Sequence, residues 1–300
     1  MTVRTAPFAL LLVLAGCAAL PHPWPRAPLC TGALREGAAL DAQAWLALVL
    51  QGYDPQTRRA TTPALDCSGA QVRWEAPAVL CADPSTARAM LPDRPIGDGD
   101  VVVSEVDATH RLVWILTSRY ASGDALGPVA LVEVRGHVLA VEALGSLRAN
   151  PERAKLGLLR AGDSMLLVAE GERCTGAKAA SCERSARVMP LLGNRFEPSR
   201  VVNGAGACLG AGWLHLTREE IDKLGGGRER RYRVDASVSA GPDGLRLLEL
   251  VTVHDREGRA ANAPERLFRR AEGTTVFRVW GSDLVAENPT LWTRLLMTRE

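Results

Sequence analysis

Seven cysteines stand in this chain of 300 residues, and six of them, Cys30, Cys67, Cys81, Cys174, Cys182 and Cys208, offer its plainest chemistry. An even set in an oxidising compartment pairs into disulfides. Joining sequence neighbours gives Cys67–Cys81 and Cys174–Cys182, and leaves Cys30–Cys208 to tie the amino-terminal part to the body. A metal cluster is the weaker reading. There is no Cys-x-x-Cys, and none of the five histidines stands at ligand spacing from a cysteine pair. No metal and no cofactor are expected.

Carboxylates and histidines carry the remaining chemistry. Glu133 and Glu142 fall on the two arms of one expected hairpin. Paired carboxylates do glycosidase work, although on a half-exposed sheet they form only a polar face. His254-Asp255 pairs a base with an acid, but adjacent strand residues point to opposite faces. His110 and His137 fall at turns, where an imidazole is solvated, and neither His-x-His nor His-Glu-x-x-His occurs. Gly-x-Ser-x-Gly and Ser-x-x-Lys are absent, so Ser164 reads as a turn-to-strand serine. Asp98-Gly99-Asp100 lacks the ligand spacing of a calcium loop and reads as a turn. The run Gly204 to Gly212 has Leu209 where a dinucleotide loop needs its third glycine. It reads as a flexible crossing that carries Cys208 to a partner.

The chain opens on a single charge, Arg4, ahead of the apolar run Phe8 to Ala15. That is the plan of a secretory signal. A membrane-spanning helix needs about 20 apolar residues, and Pro21, Pro23 and Pro25 follow closely. The run ends Leu14-Ala15-Gly16-Cys17, which resembles the lipobox of bacterial lipoproteins. The resemblance covers only the signal and Cys17. It implies diacylglycerol on the Cys17 thiol, cleavage before it, and acylation of the new amino terminus with a chain such as palmitate. Several buried acyl chains anchor stably where one binds marginally. Ala18, in place of an Asp, resembles the kind sorted to the outer membrane, facing periplasm or cell surface. The alternative is cleavage near Ala19 and a soluble secreted protein. Residues 18–29 are proline-rich and read as a semi-rigid spacer.

Hydrophobic residues make up 47% of the chain, enough for a real core, and the net charge of +2 leaves no basic footprint for nucleic acid. Asp41 predicts a helix over 42–51 with Gly52 past its end, and Asp83-Pro84 predicts another to Leu91. Val72 to Glu75 is a possible strand. From Val101 the pattern becomes strands: 101–106, 111–117, 129–134 and 138–143 around Arg135-Gly136-His137, then 164–170 and 186–192. Asn150-Pro151 marks a helix start or a turn. Thr217 with Glu220 predicts a short helix ending at Gly225. Strands resume at 231–238 and 245–253 across Gly241-Pro242-Asp243-Gly244, with another at 274–280. Asn288-Pro289 starts a final helix. The six tryptophans from Trp45 to Trp292 read as core or sheet-face residues.

The expected fold is mainly β, in antiparallel meanders forming a sandwich, barrel or curved sheet with a few short helices; the alternative is α+β or an irregular propeller. The expected organisation is a signal over 1–16, the anchor and spacer over 17–29, a mixed disulfide-bonded segment over 30–95, and a β-rich body over 96–300. The expected role is a lipid-anchored envelope protein that binds a partner or envelope component without catalysis. The rival is an extracytoplasmic hydrolase built from dispersed residues such as His254, Asp255 and Glu133 or Glu142.

Overall fold

A computed structural model describes residues 27–34, 40–74, 81, 90–175, 181–257 and 264–298. The leader, Cys17 and all but the end of the spacer lie outside these residues. So do Glu75 and most of the helix expected from Asp83, whose last two residues run instead alongside the body: Met90 bridges Tyr120, and the Leu91 N–H donates to the Arg119 carbonyl at 2.7 Å.

The chain lays down β1 (Cys30–Ala33), α1 (Ala42–Val49), β2 (Leu50–Gln51), β3 (Leu65–Asp66), β4 (Val101–Glu105), β5 (His110–Ile115), β6 (Ser118–Arg119), β7 (Ala125–Arg135) and β8 (Val138–Ala149). It continues through β9 (Glu152–Ala161), β10 (Ser164–Thr175), β11 (Ser181–Leu192), β12 (Arg195–Phe196), β13 (Arg200–Val202) and β14 (Cys208–Ala211). It ends with β15 (Trp213–Lys223), β16 (Arg228–Gly241), β17 (Gly244–Glu257), β18 (Glu265–Trp280), β19 (Asp283–Val285) and α2 (Leu291–Met297). The protein is mainly β with few short helices, as the alternating sequence requires.

Most of the strands form two walls; β2 pairs only with β3, and β13, β14 and β19 pair beyond the end of β18. In the first, β4, β5, β7 and β8 lie side by side, and β1 and β12 share the far edge of β8. In the second, β9, β10, β11, β15, β16, β17 and β18 form an antiparallel meander. This wall curls: the Gly162 N–H, at the β9–β10 turn, donates to the Gly241 carbonyl at the β16–β17 turn at 2.9 Å. Inside the curl lies one core, with Leu166, Val168, Val188, Leu216, Val234, Leu247 and Phe277, stoppered by Trp292 of α2. Between the walls lies a second, with Leu112, Trp114, Leu131, Leu147, Leu167 and Met189. On the outer face of the first wall, Trp45, Leu46 and Val49 of α1 cover Val113, Ile115, Val132 and Val141. Strand β10 thus serves two cores, Leu166 and Val168 facing one and Leu167 and Ala169 the other, which is why its sequence is an unbroken apolar run. Each fully buried side chain of this size stabilises by about 1.5–3 kcal/mol.

Asp41 caps α1 as expected, accepting the Ala44 N–H at 2.9 Å. The Arg135-Gly136-His137 and Gly241-Pro242-Asp243-Gly244 turns join hairpins, and Asn150-Pro151 is a turn leading into β9. The helix expected from Thr217 is absent. Strand β15 runs through Thr217 and Glu220, and seven residue pairs hold it to β16. Thr217 Oγ1 accepts from the Arg184 N–H rather than from its own following turn. A capping box satisfies two local donors, and a ladder of that length outweighs it.

All six cysteines are paired, but two of the three bridges differ from the neighbour scheme: Cys30–Cys67, Cys81–Cys208 and Cys174–Cys182. Cys67 follows β3, which α1 carries to the first wall beside β1, so Cys30 and not Cys81 is its neighbour. Cys174 and Cys182 face each other across β10 and β11 with Cα atoms 4.0 Å apart. The run from Asn203 to Cys208 is a tight turn between β13 and β14. Asn203 Oδ1 accepts the Ala205 and Ala207 N–H groups, and Cys208 thereby meets Cys81.

Candidate functional site

Where the second wall faces the first, its apolar side chains give way to polar ones. Register places Gly171, Ser185 and His215 in one row across β10, β11 and β15, and Ala169, Arg187 and Trp213 in the next. Opposite them stand the end of β8, with Arg148 and Asn150, and the turn before β7, with Ser122 and Asp124. The approach is close. A Cβ on Gly171 would lie 1.9 Å from the Asn150 carbonyl oxygen, so glycine is the residue that lets the walls meet here.

The seam is held by buried charge. Arg148 Nε donates to Asp124 Oδ2 at 2.6 Å, with side chains only 4% and 3% exposed. The Arg148 guanidinium lies 3.4 Å from the centre of the Tyr120 ring. Burial raises the Tyr120 phenol pKa; the Arg148 charge opposes that shift and Asp124 adds to it. Arg187, also buried, sits 4.5 Å from the Trp74 ring and 4.4 Å from the Trp213 ring, and its Nε donates to the Arg148 carbonyl. Asn150 Nδ2 donates to Ser185 Oγ at 3.0 Å.

These groups border a cavity of about 130 Å³, lined by Ser122, Asn150, Ser185, Trp213, His215 and Arg218 and by the ion-paired Asp124, Arg173, Glu183 and Arg184. The Arg218 Nη1 donates to His215 Nε2 at 2.9 Å. A guanidinium has no acceptor, so the neutral imidazole carries its proton on Nδ1. Burial, and then the charges of Arg218 and Arg173, push the His215 pKa down to about 4. Ser122 Oγ and Arg218 Nε are out of solvent with no hydrogen-bond partner among the described residues. The unpartnered groups of the recess are thus donors, a hydroxyl and a guanidinium N–H beside a neutral imidazole, while its carboxylates Asp124 and Glu183 are each held by an arginine. The recess suits a ligand that supplies acceptor oxygens.

Behind it, Trp213 and His215 also border a second cavity, of about 180 Å³, under α2. Glu249 of β17 closes this side, accepting the Leu291 and Trp292 N–H groups at the start of α2 at 2.7 and 3.0 Å. Burial raises the Glu249 pKa, against those two hydrogen bonds and the charge of Arg294.

Of the residues singled out by sequence, Glu133 and Glu142 do converge, and His110 joins them. His110 is buried, contrary to the solvated turn position expected of it, because it opens β5 opposite Glu133 of β7 rather than lying in the turn. His110 Nε2 is 3.5 Å from Glu142 Oε2, and the three side chains offer ligand atoms all within 4.8 Å of one another. His254 and Asp255 lie elsewhere, on β17, where Asp255 accepts both Nε and Nη2 of Arg230 at 2.6 and 2.9 Å. Ser164 opens β10 opposite Ala161. Asp98 to Asp100 form a single 3-10 turn, with Asp100 held by Arg94 and Arg119 at 2.5 and 2.7 Å. Trp45, Trp114 and Trp292 are core, while Trp280 is 81% exposed at the β18–β19 turn.

Sequence reasoning missed Asp124, Arg148, Asn150, Ser185, Arg187 and His215. For Arg148, Ser185, Arg187 and His215 the signal is a polar residue at every second place in strands whose other face is apolar, and an exposed strand face carries the same pattern; Asp124 and Asn150 lie just outside strand ends and carry none. Compared with known proteins, the chain matches no family model, no curated protein and no solved structure.

Proposed function

We propose that this protein is tethered in the bacterial envelope by lipid on Cys17, at the outer membrane, and that its folded part binds a small ligand bearing acceptor oxygens in the recess between the two walls. The observation that carries the binding reading is the recess itself: the buried donors Ser122 Oγ and Arg218 Nε beside a His215 held neutral. The tether is supported by the lipobox-like Leu14 to Cys17 and by the spacer, whose length in polyproline form is on the order of 40 Å. Strand β1 begins at Cys30, directly after that spacer. Three disulfides fit an oxidising compartment.

Two measurements test this. Intact-mass analysis of protein from the membrane fraction should give a chain beginning at Cys17 with acyl chains and no free thiol before reduction; an unacylated chain in the soluble fraction defeats the tether. Inorganic phosphate, titrated against the tryptophan fluorescence to which Trp213 contributes, should give saturable binding that Arg218→Ala weakens at least about tenfold. No saturation up to high millimolar phosphate, or binding indifferent to Arg218→Ala and His215→Ala, defeats the recess as an anion site.

A second reading, an extracytoplasmic hydrolase, is favoured by one observation only, the meeting of Glu133 and Glu142 with His110.

A further inference from the structure

The meeting of His110, Glu133 and Glu142 lies at an irregularity in the first wall. The β7–β8 ladder shifts register between Leu131, opposite Ala143, and Val132, opposite Val141. Glu142 is therefore the extra residue of a β-bulge. Val141 packs towards α1 and Ala143 towards the space between the walls. The inserted residue is turned to the inner face, on which Leu112, Leu131 and Ala143 begin the apolar core. Bulges re-aim single side chains in this way. The bulge thus puts Glu142 and Ala143 side by side on the inner face, Glu142 lying towards the hairpin end where Glu133 and His110 stand opposite each other.

The histidine is oriented from behind. Asp107 accepts from His110 Nδ1 with both carboxylate oxygens at 2.9 Å, and from the His110 backbone N–H at 2.8 Å. Its first oxygen also accepts the Thr109 N–H at 2.8 Å. A carboxylate in this position accepts the Nδ1 proton and turns Nε2 towards Glu142 and Glu133. This is the outer arrangement that accompanies a metal-binding imidazole. The Nε2 to Glu142 distance of 3.5 Å is near the edge of a tetrahedron of donors about 2.0–2.2 Å from a common centre, roughly 3.4 Å. Glu133 is paired with Arg135, but Arg135 is 72% exposed and the carboxylate only 12%, so releasing that arm to water costs little.

We infer that His110, Glu133 and Glu142 form a site for one divalent transition-metal ion, of the zinc class, bound by one imidazole and two carboxylates. A dication neutralises the two carboxylates, and a three-ligand set leaves a coordination position for water. The imidazole and the small ligand number argue against calcium, which takes six or more oxygens. Asp107 is a positioning residue that acts through the imidazole. The site shares no residue with the recess assigned above, so the two readings stand or fall separately.

The test uses the full chain in detergent, disulfides intact, stripped with chelator and titrated with zinc chloride by calorimetry. One zinc per chain is expected. Glu142→Gln, which keeps the shape of the side chain, should weaken binding at least about tenfold, and Asp107→Asn by about 10–100-fold. Cobalt in place of zinc should give a visible d–d absorption band in the wild type that Glu142→Gln loses, a signature that no purely structural role of Glu142 would move. His110→Ala should abolish uptake; if that variant does not fold, Glu142→Gln decides. The absence of stoichiometric zinc, or uptake and cobalt spectra unchanged in Glu142→Gln, overturns the assignment.

Discussion

His215 makes the stability of this protein depend on pH in a window where few other groups titrate. Burial and the charges of Arg218 and Arg173 bring its pKa from 6.5 down to about 4 in the folded state. Unfolded, the imidazole takes up a proton near pH 6.5; folded, it resists doing so until about pH 4. The unfolded chain therefore binds more protons between those values, and folding stability falls as pH falls through them. Linkage gives a loss of about 2 kcal/mol between pH 7 and pH 5, and about 3 kcal/mol by pH 4. Glu249 works in the opposite sense, because its raised pKa lets the folded state take up its proton first. The wild type alone thus mixes the two. His215→Gln separates them: the amide oxygen keeps an acceptor for Arg218 Nη1 and removes the titration. Urea unfolding followed by tryptophan fluorescence at pH 7, 6 and 5, with disulfides intact, should show the wild type losing about 2 kcal/mol more than His215→Gln over that range. Parallel pH profiles for the two proteins would refute the argument.

Three further perturbations read other parts of the seam. Asp124→Ala strands a buried guanidinium and should cost about 3–5 kcal/mol in urea unfolding. Asp124→Leu with Arg148→Met, which removes both charges, should cost clearly less; equal losses would mean the pair is not buried as described. Gly171→Ala places a methyl group 1.9 Å from the Asn150 carbonyl and should lower stability by about 3 kcal/mol or more, whereas Gly204→Ala, with nothing within 4 Å, should change it by less than about 0.5 kcal/mol. Glu249→Ala removes the acceptor for two N–H groups of α2, and trypsin should then cut after Arg294 in the folded protein faster than in the wild type; equal cleavage rates would show that α2 is held by Trp292 packing alone.

Strand content was legible because it depends on near neighbours. Tyr232, Val234 and Ala236 alternate with arginine, aspartate and serine, and the structure buries those three and turns the others to water. The helix at Asp41 was legible for the same reason, since a cap is a contact three residues long. Thr217 and Glu220 satisfy an equally local pattern and were misread. Their partners are Arg184, 33 residues away, and the β16 strand, and no local pattern reports them. The disulfides failed in the same way. The only neighbour bridge that survives, Cys174–Cys182, is the one whose strands are joined by a short connection. The chain-entropy model assigns about 2.5 kcal/mol to closing that eight-residue separation, and about 5 kcal/mol to the 127-residue separation of Cys81–Cys208. The bridges least visible in sequence therefore restrict the unfolded chain most.

The candidate sites were less legible than the fold, for a related reason. Glu133 and Glu142 lie on one hairpin and are legible as a pair, but the sequence does not report that His110 joins them. One extra residue sits in the β8 ladder at Glu142, and a bulge leaves no mark in composition. His110 comes from a third strand, and its place near a turn gives no sign of its burial. At the seam, Arg148 and Arg187 repeat the alternation of a solvated face, and only the second wall, arriving from residues 171–215, converts that face into an interior. A polar residue in an alternating strand is ambiguous until it is known whether a second sheet covers it. In this protein such positions gather at the seam, where β10 and β11 turn from the core between the walls towards their solvated, ion-paired ends at Glu170, Arg173, Glu183 and Arg184. Arg187, Arg148 and Asp124 are retained inside only where each meets a ring, a carbonyl or an opposite charge, and that requirement is what draws the two walls together at Gly171.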